Sequence, residues 1–262
     1  ALQELLRPTR SDEPLQNEYR RWMVILFWVV LILFSIVKTK IVHYSSLCYF
    51  PLTYLAVLQL EGIWQKREAF GPARFVVGII GTIVAVVFLS APFIGMQINL
   101  LKPLVAQDPF AQANLDAAVT WTGVESVAGL LLLAVLITAH VLHGRGHVRQ
   151  SVVLLFAGTA LFITTTLYFF IGRIEGYSQR AAVEFFEARQ GETCYVITKG
   201  YKSYAHLFYT RKPPVTDPRA HDEQWLLHGD IDRPVYVVCK ITKAAEVGTI
   251  PTLHEIGRKN GF

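Results

Sequence analysis

Charge is scarce in this chain. Only 17% of its 262 residues are Asp, Glu, Lys or Arg, against roughly 25% in ordinary soluble domains. That deficit excludes a wholly water-exposed globule. The charges present are unevenly placed, with about half of them in the last ninety or so residues. Cysteine is also rare. Cys48, Cys194 and Cys239 have no metal-type spacing. Cys48 lies in an apolar run. Cys194 and Cys239 lie on two candidate strands; they pair if those strands are neighbours and otherwise stand as two buried thiols. There is no internal repeat and no low-complexity tract. Arg7, Pro8 and Arg10 interrupt the opening, and no small-residue cleavage site follows the first apolar run, so no signal peptide is expected. With Ala1 in place of an initiator Met, the sequence reads as the C-terminal part of a longer protein.

What the chain has in quantity is apolar surface. Hydrophobic residues make up 52% and mean hydropathy is +0.36. Five apolar runs stand out, at 22–37, 41–60, 75–98, 124–142 and 152–171. The expected fold is a membrane α-helical region of about five transmembrane helices over residues 1–171, followed by a small extracytoplasmic α/β domain over 172–262. The first run would be roughly 24 Å long as a helix, short of a hydrocarbon core of about 30 Å. Arg21 and Lys38 at its ends can snorkel to make up the difference. The second run opens on His43, Tyr44, Ser45 and Ser46, and Pro51 is expected to kink it or free a backbone carbonyl. The third contains Gly78, Gly81 and Pro92, with Gly81 and Ala85 at small-xxx-small spacing. The connection 99–123 has room for a short interfacial helix.

Basic residues fall between the apolar runs, where they act as topology determinants rather than as a nucleic-acid surface. Residues 1–21 hold four Lys and Arg, 61–74 three and 143–150 two, whereas 38–44 and 99–123 together hold three. The positive-inside rule therefore puts the N-terminus and the 61–74 and 143–150 loops in the cytoplasm. It puts the 38–44 turn, the 99–123 loop and the tail outside.

The tail alternates short helices and strands. Ser178 is placed to cap a helix carrying Ala181, Ala182, Phe185 and Phe186, which Gly191 ends. Strands are expected at 193–198, 235–241 and 252–256, and short helices at 203–209 and 222–227. Pro213, Pro214 and Pro218 mark a loop.

The densest polar cluster near the membrane is Lys38, Lys40, His43 and Tyr44. Lys and Tyr at such a place anchor a helix in the interface. The same set can also form a phosphate site, with Lys40 as a point charge and His43 or Tyr44 as hydrogen-bond donors. Lys38 and Lys40 are the outward residues that break the charge rule. Asp108, Asp116 and Glu125 are the carboxylates of the outward membrane-side loops, and a glycosyl transfer needs such a group to deprotonate an acceptor hydroxyl. No motif surrounds Asp108 or Asp116, and Glu125 reads as an interface residue. His140, His143 and His147 cluster without an acidic or Cys partner. His206, His221, His228 and His254 are scattered and expected to be solvated.

The run Phe34-Ser35-Ile36-Val37-Lys38-Thr39-Lys40-Ile41-Val42-His43-Tyr44, followed by Pro51, resembles a sequence in GT-C type integral-membrane glycosyltransferases. These form the protein O-mannosyltransferase and aminoarabinose transferase superfamily. Ile174-Glu175-Gly176-Tyr177-Ser178-Gln179 and Tyr201-Lys202-Ser203-Tyr204 are also similar to its bacterial members. The resemblance implies the C-terminal portion of an inner-membrane enzyme with a periplasmic tail. That enzyme moves a sugar from a polyprenyl-phosphate donor to a hydroxyl on a lipid, glycan or protein acceptor. It implies that Lys40, with Lys38, His43 and Tyr44, meets the lipid phosphate, and that the catalytic aspartate lies upstream, leaving this chain alone inactive. The displacement would be inverting, assisted by a base or by a divalent metal. Two other readings stand beside it: a transport component with helices broken at Gly78, Gly81 and Pro92, and a membrane-anchored binding module acting through its tail.

Overall fold

A computed structural model describes residues 14–36, 46–65, 73–213 and 217–262. The protein is mostly helical. Among the described residues, five helical segments are long and apolar enough to cross a membrane, and no more than 28% of any of their apolar windows is buried within the protein. The rest of that apolar surface is left for another apolar medium, as in a multi-pass membrane protein. The chain divides into two compact units, residues 1–80 with 139–153 and residues 81–138 with 154–262.

In the first unit, α1 (Pro14–Ile36) presents Met23, Phe27 and Val30 on one face. They pack against Cys48 and Leu55, and Tyr19 meets Tyr54 edge to face at 5.0 Å between ring centroids. A 3₁₀ turn, Ser46–Cys48, leads into α2 (Tyr49–Trp64). Pro51 therefore lies in the first turn of α2 and does not kink it. The N–H that proline lacks has no intrahelical partner there in any case.

α3 (Ala73–Met96), which belongs to the second unit from Gly81 on, is continuous through Gly78, Gly81 and Pro92, so these residues do not break it. Its Ala85 packs with Ala128 and Leu132 of α5 (Val127–Gly144) and with Phe162 and Phe170 of α6 (Val148–Gly176). The closest approach is made by Gly129, which the sequence reading did not single out. A Cβ there would stand 2.4 Å from Leu89 N and 2.6 Å from Ala85 O. Gly81 instead faces the Leu136 side chain, where a Cβ would meet Cδ2 at 2.9 Å. The Ser126 hydroxyl donates to Leu89 O at 3.0 Å, adding a polar link to the same seam. Between α3 and α5 lies α4 (Pro109–Asn114), a one-turn helix in the 99–123 connection.

The tail contains α7 (Arg180–Glu187), β1 (Tyr195–Lys199), α8 (Ala205–Tyr209), α9 (Glu223–His228), β2 (Val235–Cys239) and α10 (Ile241–Val247). β1 and β2 form one parallel pair, Tyr195 opposite Val235 through Lys199 opposite Cys239. Ala182 and Phe186 of α7 cover the sheet at Val196 and Val238. Ser178 does not cap α7. Its hydroxyl donates to Glu175 O at 3.0 Å, closing the end of α6, and Gln179 stands at the cap position. Residues 252–256 are not a strand. Most are exposed, and the Thr252 hydroxyl donates to Leu227 O at 2.7 Å. The strand expected to run to residue 241 stops at Cys239, because Thr242-Lys243-Ala244-Ala245-Glu246 winds into α10. Cys194 and Cys239 are both free thiols. Their strands are neighbours, but Cys239 is level with Lys199 at the far end of the pair, roughly 16 Å along the strand from Cys194. A disulfide needs Cα atoms within about 7 Å.

Candidate functional site

Lys38, Lys40, His43 and Tyr44 lie outside the described residues. The carboxylates expected near them in function are described, and each is held by its own neighbourhood. Asp108 caps α4, accepting from Phe110 N at 3.0 Å and Ala111 N at 3.1 Å. Asp116 pairs with Lys102 at 2.7 Å. Glu125 is fully buried. It accepts from the Thr122 hydroxyl at 2.9 Å and from Gly123 N at 2.8 Å, the latter in a turn that needs Gly123 at φ +85°.

The Thr122 N–H also donates to the Glu125 carboxylate at 3.3 Å, and Arg173, near the end of α6, pairs with it directly. Arg173 Nε donates to Thr120 O at 3.2 Å and Nη1 to Phe169 O at 2.6 Å. The guanidinium also lies 5.6 Å from the centroid of Trp121, whose indole N–H donates to the Tyr177 hydroxyl at 3.1 Å. Every strong group in this cluster is satisfied by another, the condition under which a buried ion pair holds structure. Arg173 is therefore a strut between the 99–123 connection and the end of α6. Beside it runs a groove of about 580 Å³ whose other cations are Arg180 and Lys259. Arg180 pairs with Glu175 at 2.9 Å and Lys259 with Glu184 at 2.6 Å, so the groove's charges are balanced.

The tail holds a second cleft, of about 600 Å³, at the carboxyl ends of the parallel strands. Lys199 ends β1 and pairs with Glu223 of α9. That hydrogen bond raises the Lys199 ammonium above its ordinary range. Lys243 of α10 pairs with Glu246 at 2.7 Å. Between them passes the turn Gly200–Tyr204, with Gly200 at φ +79°. Burial pushes the Tyr201 phenol up to about 12. His206, expected to be solvated, is instead partly buried against Phe186, with its Nδ1 enclosed and without a partner in the described residues. Burial lowers its affinity for a proton.

Among the described residues, no group of three or more His, Cys, Asp or Glu is arranged to hold a metal ion, and His140, His143 and His147 do not form one. What the sequence reading missed is the Glu125–Arg173 pair. The available signal was one acid and one base, each alone near the ends of apolar runs. Compared with protein-family models, with curated proteins and with solved structures, the chain matches none.

Proposed function

We propose that this chain is the C-terminal portion of a membrane glycosyltransferase. It acts on a polyprenyl-phosphate sugar and a hydroxyl acceptor at the membrane face that carries the tail. The observation that supports this reading best is the order of elements among the described residues: an apolar helix, four further apolar helical segments, and a small α/β domain continuous with the last. Counting crossings along the sequence alone, five spans would put residues 38–44, the 99–123 connection and the tail on one face. With Asp108, Asp116 and Glu125 held by their neighbours, the general base comes from the chain upstream, as the family resemblance implies.

In this reaction the acceptor oxygen attacks the anomeric carbon as the carbon–oxygen bond to the lipid phosphate breaks. The base takes the acceptor proton, and the phosphate leaves as an anion. Lys40 supplies a fixed positive charge for that anion, with Lys38, His43 and Tyr44 as further donors. The test is binding of a short-chain polyprenyl phosphate to the protein in detergent. Lys40→Ala should weaken binding about tenfold, the worth of one charge-assisted hydrogen bond. Unchanged binding would remove the assigned role. The continuity of α3 through Gly78, Gly81 and Pro92 counts against the transport reading, since no broken helix is present there to carry an ion.

A further inference from the structure

We propose that the cleft at the carboxyl ends of β1 and β2 is a binding site for a phosphate-bearing saccharide. Its position is the first reason. In open parallel sheets the strand ends and the segments leaving them form the crevice where ligands sit. Here the turn Gly200–Tyr204 leaves β1 and α10 leaves β2, and both line the cleft. Its volume, about 600 Å³, is that of a small-molecule site.

The charge is the second reason. Three ammoniums, of Lys199, Lys202 and Lys243, line the cleft against two carboxylates, of Glu223 and Glu246. The carboxylates hold Lys199 and Lys243. Lys202 is exposed and has no carboxylate partner among the described residues. Backbone donors add to it. None of the N–H groups of Gly200, Tyr201, Lys202, Ser203 and Tyr204 has a protein acceptor among the described residues. A run of unpaired N–H groups beside ammoniums is a ready anion site. Gly200 makes the arrangement fit, because a Cβ there would stand 2.4 Å from Cγ of Lys243.

The carboxylates and the aromatic ring decide the class of ligand. A bare phosphate has no use for two carboxylates at its site, whereas a sugar's hydroxyls donate to them. When phosphate oxygens take Lys199 and Lys243, Glu223 and Glu246 are released as acceptors on the same molecule. Tyr204 lines the cleft and is 69% exposed, offering an apolar ring face to the C–H face of a pyranose with a hydroxyl at its rim. The cleft binds such a ligand whether or not the membrane portion transfers a sugar.

Calorimetric titration of the full chain in detergent tests this, with a hexose 1-phosphate, the free hexose and inorganic phosphate as probes. The hexose 1-phosphate should bind saturably and more tightly than either fragment. Lys202→Ala, an exposed change that leaves the fold alone, should weaken it about tenfold. Lys259→Ala, outside the cleft, should not. Gly200→Ala should abolish binding, with Lys202→Ala deciding the matter if that variant misfolds. Displacement of the probe by a short-chain polyprenyl-phosphate hexose assigns the headgroup of a lipid-linked sugar. Failure to displace assigns a phosphosugar borne by a soluble molecule or a glycan, and either keeps the site. Equal affinity for inorganic phosphate overturns the saccharide assignment. Absence of saturable binding, or an unchanged affinity in Lys202→Ala, overturns the site itself.

Discussion

The guanidinium of Arg173 closes on the carboxylate of Glu125, which has no exposed surface. The pair ties the segment entering α5 to the end of α6, and the Thr122 and Gly123 donors leave the carboxylate no unmet demand.

Removing both partners should therefore cost less than the two single losses added together. Glu125→Ala leaves a half-buried guanidinium facing an empty site and should destabilise the protein by about 3 kcal/mol. The double variant with Arg173→Ala should lose clearly less than the sum of the single losses. Thermal unfolding in detergent, followed by fluorescence of the adjacent Trp121, measures each. Additive losses would show that the two side chains do not act as a pair.

Gly129 should tolerate no side chain. Gly129→Ala forces the Leu89 and Ala85 backbone away from α5, and overpacking of this kind costs about 2 kcal/mol. At Gly78 a Cβ meets nothing within 4 Å, so Gly78→Ala should stay within about 0.5 kcal/mol of the parent. The comparison can be made by resistance to thermal unfolding in one detergent. Equal effects at the two positions would deny the close contact.

Acid should loosen the tail through His206. Burial depresses its proton affinity in the folded state, so the unfolded chain takes the proton first as pH falls. The contribution is fully present above about pH 6.5, the unfolded value. It is lost as pH falls from there through the lower folded value. Hydrogen exchange of the β1 amides, corrected for intrinsic rate, should show protection falling between pH 7.5 and 5. The fall should be smaller in His206→Gln. An identical fall in that variant would assign it to other groups.

The long apolar helices were legible because an apolar solvent demands a long apolar run, and that demand is written locally. Their ends were less legible. Asn17 and Glu18 at one end, and Arg173 and Glu175 at another, continue a helix after the apolar run has stopped, since backbone hydrogen bonding does not end where lipid would. Caps were less readable: Ser178 closes α6 instead of capping α7, while Asp222, whose side chain accepts from Gln224 N at 2.9 Å, caps α9 without having been singled out. Residues 252–256 defeated the same approach because a strand exists only where a partner edge is offered, and pairing is set far along the chain. Glu125 posed a similar difficulty. Its acidity was visible, but its partner comes from another helix. Gly129 looked like any glycine in a span, because its use depends on which backbone lies opposite.

α6 runs for 29 residues without a break, about 43 Å of helix, against a hydrocarbon core of about 30 Å. With α6 across a bilayer, the surplus stands clear as a stiff stalk, and only Tyr177–Gln179 separate it from α7. In that placement the tail would be carried on a shaft. A roll or tilt of the membrane part of α6 would then pass through three residues to α7 and the sheet it covers, gearing the aim of the tail's cleft to events inside the bilayer.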